Sequence, residues 1–159
     1  MNNFKKMVAA LLFLSGAAMP VSAMAQNPVS LSGDVKAVET TVDEAGNETT
    51  RLVEPSVIVP GDRLVFGTDY ANNGDEPVEN FVVTNPLPSA VRLAPDADAD
   101  LTVSVDGGES WGTLAELTVT GEDGASRAAA HADVTHVRWT LAVIAPGASG
   151  RLEYPAIIR

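Results

Sequence analysis

The stretch best equipped for chemistry is SVDGGESW, Ser104 to Trp111. It sets a carboxylate beside two glycines and follows them with an indole ring. Two kinds of work suit those residues. Trp111 offers a ring against which a sugar can stack. Alternatively, Asp106 accepts hydrogen bonds from backbone N–H groups left over at a hairpin. Gly107 and Gly108 then supply left-handed backbone, and Trp111 folds back as an apolar lid. The second reading asks less of the surrounding chain. Ser104, Asp106, Gly107, Gly108 and Trp111 are expected to form a structural hairpin, with no catalytic residue among them.

Other constellations are weaker. Asp96, Asp98 and Asp100 (DADAD) place three carboxylates at alternate positions, a weak calcium candidate that Asp106 could join. An EF-hand loop also needs Gly sixth and Glu twelfth; counted from Asp96, those places hold Leu101 and Gly107. His131 and His136 are the only histidines, lie near Asp133 and would fall on opposite faces of a strand. No cysteine is present to complete a zinc site. The chain has no G-x-S-x-G elbow, and neither G-x-G-x-x-G nor a Walker pattern. No metal and no cofactor are expected, and the protein is not expected to be an enzyme.

These residues must be held by strands. Val, Thr, Leu and Ile recur in short runs, and Gly, Pro, Asn and Asp interrupt them at sandwich-like intervals. Val35 to Thr41 and Thr49 to Glu54 flank a Gly-containing loop, Asp43 to Asn47, and read as a hairpin. Pro60-Gly61-Asp62 is the next turn. Leu64, Phe66, Thr68 and Tyr70 then alternate with Val65, Gly67, Asp69 and Ala71; the first set is expected to face inward. Asn72 and Gly74 mark another turn, and Phe81 and Val83 continue the period of two as far as the prolines at 86 and 88. Val137, Trp139 and Leu141 form a strong strand before Pro146-Gly147. Leu152, Tyr154, Ala156 and Ile158 close the domain, and Pro155 places that strand at an edge or a bulge. Ala125 to Ala132 is helix-friendly but too short for more than a connecting turn. The expected fold is all-β: an antiparallel β-sandwich of about eight or nine strands, with the aromatics in its core.

Two resemblances follow from these residues. S-x-D-x-G-x-x-W resembles the Asp-box of sialidases and related propellers, where the motif braces a blade away from the sugar. A propeller needs at least four blades, and this chain has one copy. "VPGDRLVFGTDYANNGDEPVENFVVTNPLP", Val59 to Pro88, resembles the domain of unknown function 11 of bacterial and archaeal envelope proteins. Pro60, Gly61, Asp62, Asn72, Gly74, Leu87 and Pro88 fall on its hallmark positions, and "RWTLAVIAPGASGRLEY", Arg138 to Tyr154, resembles its closing Pro-Gly turn and strand. Phe66 stands where that family often has Tyr, and Asn85 where it often has Asp. The resemblance implies an immunoglobulin-like sandwich, often one unit of a longer surface protein, and implies no catalytic residues.

The N-terminus reads as a leader. MNNFKK is basic, Met7 to Ala18 is apolar, and Ala23-Met24-Ala25 is a small-x-small cleavage site. About 12 apolar residues fall short of the roughly 20 that span a bilayer. The expected organisation is a signal peptide over 1–25 (Ala23 is the alternative cut), an N-terminal arm over 26–34 and a sandwich over 35–159. The product is expected in the periplasm or at the cell surface, without membrane insertion after cleavage. Lys5 and Lys6 leave with the leader, so 8 of the 10 basic residues face all 21 acidic ones, a formal charge of −13. That balance repels nucleic acid, whose binding needs clustered Lys and Arg. The functional expectation is an exported, non-enzymatic envelope module with a structural, adhesive or protein-interaction role. Self-assembly by strand addition, or glycan binding through Trp111, are the alternatives; the partners would be other envelope proteins or the protein itself.

Overall fold

The computed structural model describes residues 28–122 and 124–159. The leader, Gln26 and Asn27 of the arm, and Asp123 of the Gly121–Gly124 turn lie outside the described residues. The described residues are mostly strand with almost no helix, as the alternation predicts. β1 (Val29–Val42), β2 (Glu48–Val53), β3 (Arg63–Asn72), β11 (Ser149–Ile158) and β5 (Val91–Leu93) form one antiparallel sheet in the order β2-β1-β3-β11-β5. β4 (Val78–Pro86), β10 (His136–Ile144), β6 (Thr102–Ser104) and β7 (Gly112–Thr113) form a second, in the order β4-β10-β6-β7. Among the described residues, β8 (Thr118–Thr120) and β9 (Ser126–Ala128) pair only with each other. No helix among the described residues is long and apolar enough to cross a membrane.

The inward set of β3 behaves largely as its alternation predicts. Leu64 and Thr68 are buried, and Phe66 stacks on Tyr154 of β11 with ring centroids 5.1 Å apart. Trp139 of β10 meets Tyr154 from the other sheet at 6.2 Å, so Tyr154 joins the two layers. Burial pushes its hydroxyl up to about 12. Leu93, Val103, Val137 and Ala156 complete the centre. Tyr70, at the end of its row, is only half-buried.

The structure departs from the expected organisation in four places. The first strand starts at Val29, not Val35, and residues 29–37 pair with β3 in continuous register, Val29↔Asn72 to Ala37↔Leu64. Most of the stretch read as an arm is therefore sheet. The last strand is interior: β11 lies between β3 and β5. Pro155 is accommodated because its carbonyl accepts the Ala94 N–H at 3.0 Å. In an antiparallel strand the ring nitrogen points the same way, toward the end of the short β5 ladder, so no β3 bond is lost. Part of Ala125 to Ala132 is extended as β9, and His131–Asp133 makes one 3-10 turn. Among the described residues there are eleven strands, because the region between residues 91 and 128 is cut into short ones.

Two turns recognised separately in the sequence are joined in space. Asn72 is 1 % exposed, and its amide donates to Glu76 O (2.8 Å) and Ile144 O (2.9 Å) while its Oδ1 accepts from Gly74 N (3.0 Å). Its backbone N–H donates to Ala148 O and its carbonyl accepts from Gly147 N, both at 2.9 Å. The Asn72–Gly74 turn and the Pro146–Gly147 turn therefore share one residue as their common partner. The Pro60–Gly61–Asp62 turn holds the chain's end: Gly61 N donates to Ile158 O, and Ile158 N donates to Asp62 O.

Candidate functional site

The SVDGGESW loop connects β6 to β7, whose register is Thr102↔Thr113 and Val103↔Gly112. Val103 and Ser104 are fully buried and anchor its start. Ser104 Oγ donates to Asp106 Oδ1 at 2.7 Å and accepts the Gly108 N–H at 2.9 Å. Asp106 Oδ1 also accepts from Glu109 N and Ser110 N, both at 3.0 Å, and Oδ2 accepts the Ser110 hydroxyl at 2.5 Å. The Ser110 hydroxyl and N–H, then the Ser104 hydroxyl, hold the Asp106 carboxyl well below the usual carboxylate range. Gly107 and Gly108 have φ of 82° and 96°, so the loop closes only with residues that tolerate left-handed backbone.

Trp111 is half-buried and closed in. Its Nε1 donates to Gly108 O at 2.9 Å, and its ring meets His136 edge-on at 6.2 Å. The Arg138 guanidinium lies over the ring, 3.5 Å from its centroid, while Arg138 Nε donates to Thr84 Oγ1 on β4. Thr135 clamps the loop from the next segment: its N–H donates to Ser104 O at 2.8 Å, and its hydroxyl accepts from Gly107 N at 3.1 Å. All five residues singled out in the sequence thus meet in one clasp. Asp106 remains exposed at its rim.

The remaining candidates do not converge. Asp96 is ion-paired with Arg63 of β3, which holds its carboxyl low. Asp98 Oδ1 accepts the Asp100 N–H at 3.0 Å. Asp133 is gripped by both Arg127 nitrogens at 2.6 and 2.7 Å, which holds it at about 2. His136 faces Trp111, whereas His131 lines an apolar cavity of about 360 Å³ with Leu93, Leu101, Val103, Leu114 and Asp98. No group of three or more His, Asp or Glu among the described residues is arranged to hold a metal ion.

One constellation escaped the sequence reading. Arg151 on β11 reaches Asp34 on β1 at 2.6 Å, Asp69 on β3 at 3.1 Å and Glu153 at 2.5 Å, tying three strands together on the outer face. It passes over Gly67, where an added Cβ would overlap the guanidinium. The available signal was Gly67 itself, since a glycine inside an alternating strand often marks a close approach. Its partners lie up to 117 residues away in the chain, beyond the reach of local pattern.

Comparison with family models, curated proteins and solved structures finds no match to this chain. The likeness to the domain of unknown function 11 therefore stands on its quoted residues alone.

Proposed function

We propose that this chain is an exported, non-enzymatic protein of the cell envelope: a single immunoglobulin-like domain, akin to the domain of unknown function 11, with a structural, adhesive or protein-interaction role. One observation carries the non-enzymatic part. The residues best suited to chemistry are occupied in holding their own loop, with both Asp106 oxygens bonded to Ser and backbone donors. Export rests on the order of basic, apolar and small residues before Gln26.

The competing readings have less support. Glycan stacking needs an open ring face, and Arg138 lies over one face of Trp111. Self-assembly by donation of the N-terminal arm needs an unpaired segment, yet Val29 to Ala37 is paired with β3. The test is to express the full chain with its own leader, fractionate the cells and cross-link in place. A processed form beginning at Gln26 or Met24, outside the cytoplasm and cross-linked to envelope proteins, is the expected result. An unprocessed cytoplasmic chain would overturn export, and turnover of glycoside or ester substrates would overturn the non-enzymatic reading.

A further inference from the structure

The two sheets differ in width. Asn85 on β4 donates to Thr68 Oγ1 on β3 at 2.7 Å, and Trp139 on β10 faces Tyr154 on β11. β4 therefore sits over β3 and β10 over β11, and at this end the five-stranded sheet continues past β4 by one strand, β1, since β2 pairs only with Ala37–Val42. The inner face of β1 there carries Leu31, Gly33 and Val35, in register with Tyr70, Thr68 and Phe66. Leu31 is 49 % exposed and Gly33 is open to solvent. A groove of about 400 Å³ results, lined by Gly33, Val35, Phe66 and Thr68 below and by Asn85 and Pro86 of β4 beside it. Among the described residues, β4 pairs only with β10. Alternate residues of an antiparallel strand turn N–H and C=O to opposite sides, so the regular part of β4, from Phe81 to Asn85, presents backbone groups beside this groove, while Asn80 (φ 51°) interrupts the ladder further back.

We propose that the free edge of β4 and the overhanging face of β1 form an acceptor site for one extended, net-positive segment of a partner polypeptide. The segment adds to β4 as a further strand and seats an apolar side chain over Gly33. Strand addition takes its affinity from main-chain bonds and its selectivity from pockets for alternate side chains. The pocket is present: a Cβ built at Gly33 meets nothing nearer than Gly67 O at 3.8 Å.

Width and charge identify the occupant. Neighbouring strands lie about 4.8 Å apart and packed sheets about 10 Å apart, so the space above β1 takes a single strand in a single layer. A second copy that paired its β4 antiparallel across a two-fold normal to the sheet would bring its own β1 into the same layer, and the two overhangs would collide. A lone segment meets no such obstacle. Residues 28–159 carry 8 Lys and Arg against 21 Asp and Glu, a formal charge of −13, which attracts a basic segment and steers its approach.

This inference rests on the protein-interaction reading and assigns it a surface. The probe is a displayed library of random nine-residue peptides screened against the purified protein. Enriched peptides should alternate apolar residues with Lys or Arg, and a bound peptide should slow hydrogen exchange along Val78–Pro86. Gly33→Phe fills the groove at a position without positive φ, and should weaken binding at least tenfold with an unchanged or raised melting temperature. Leu31→Lys, at an exposed position in the next row, gives a second variant and should weaken binding by repelling the basic peptide. No enrichment, protection away from β4, or binding that survives both variants would overturn the site. A soluble dimer dissociated by G33F would assign the groove to a second copy and equally overturn the lone-segment proposal. Peptides bound elsewhere remove this site but leave the interaction reading intact; a chain that cross-links to nothing in the envelope removes that reading instead.

Discussion

Arg151 crosses β3 directly above Gly67 to reach Asp34, so the absence of one side chain allows an ion pair between strands that are not neighbours. A Cβ at Gly67 would also stand 2.6 Å from Asp34 Oδ1. Gly67→Ala should therefore push the guanidinium off Asp34 and lower the melting temperature by about 3 °C. In an Arg151→Ala background the same change should be neutral or stabilising, because alanine suits a strand better than glycine. Thermal melts of the four proteins in the cycle measure the coupling; equal losses in both backgrounds would refute it.

Asn72 joins two turns from a fully buried position, and its loss leaves the carbonyls of Glu76 and Ile144 without their donor. Asn72→Ala should cost about 3 kcal/mol, the scale of a buried polar network broken on one side. Urea unfolding measures it. Asn72→Asp should be worse at neutral pH and recover toward pH 4. The introduced carboxyl, desolvated and facing carbonyl oxygens, has its folded pKa raised, so its stability is greatest when it is protonated.

Acid should loosen the clasp and, separately, the Asp133–Arg127 pair. Asp106 and Asp133 have folded pKa values below the unfolded value of about 3.9. Each therefore stabilises the fold above that value, and the contribution disappears as pH falls through the folded pKa, toward about 2 for Asp133. Melting temperature should drop steeply between pH 4 and pH 2. Asp106→Asn should start lower at pH 7 and lose less over that interval; a variant parallel to the parent across the range would exclude the carboxylate from the clasp.

Trp111→Ala removes the ring beneath Arg138 and the lid over Gly108. A loss of about 2 kcal/mol is expected, from partial burial of the indole plus a cation–π contact worth about 0.5–1 kcal/mol. Denaturant unfolding gives the value, and a glycan-retention column run on both proteins tests the alternative. Glycan retention by the parent, absent from an equally stable variant, would restore the sugar reading.

Much of the fold was legible because its signals are local. Leu64, Phe66 and Thr68 alternate with Val65, Gly67 and Asp69, and they line the inner face as that period requires. Gly107, Gly108 and Asp106 declared a tight turn by residue type alone, and the bonds of Gly108 and Asp106 close within four residues, whereas Gly107 N reaches Thr135, which no local pattern shows. Pro155 misled because proline reports a missing donor without saying which side of the strand needs one. The start of β1 was missed because Val29 to Gly33 is polar enough to read as a tail. Pairing with β3 makes it a strand.

What the sequence determined unaided is the grammar of the chain: strand, turn and clasp, together with an acidic surface, since each depends on residues a few positions apart. The tertiary structure alone decided which strands became neighbours. It placed Arg151 beside Asp34, set Asn72 between two distant turns, laid Arg138 over Trp111 and left β1 extending beyond β4. The physical reason is that side-chain periodicity specifies which face of a strand is buried. Strand order, and what lies across the gap, is chosen by the packing of the whole chain.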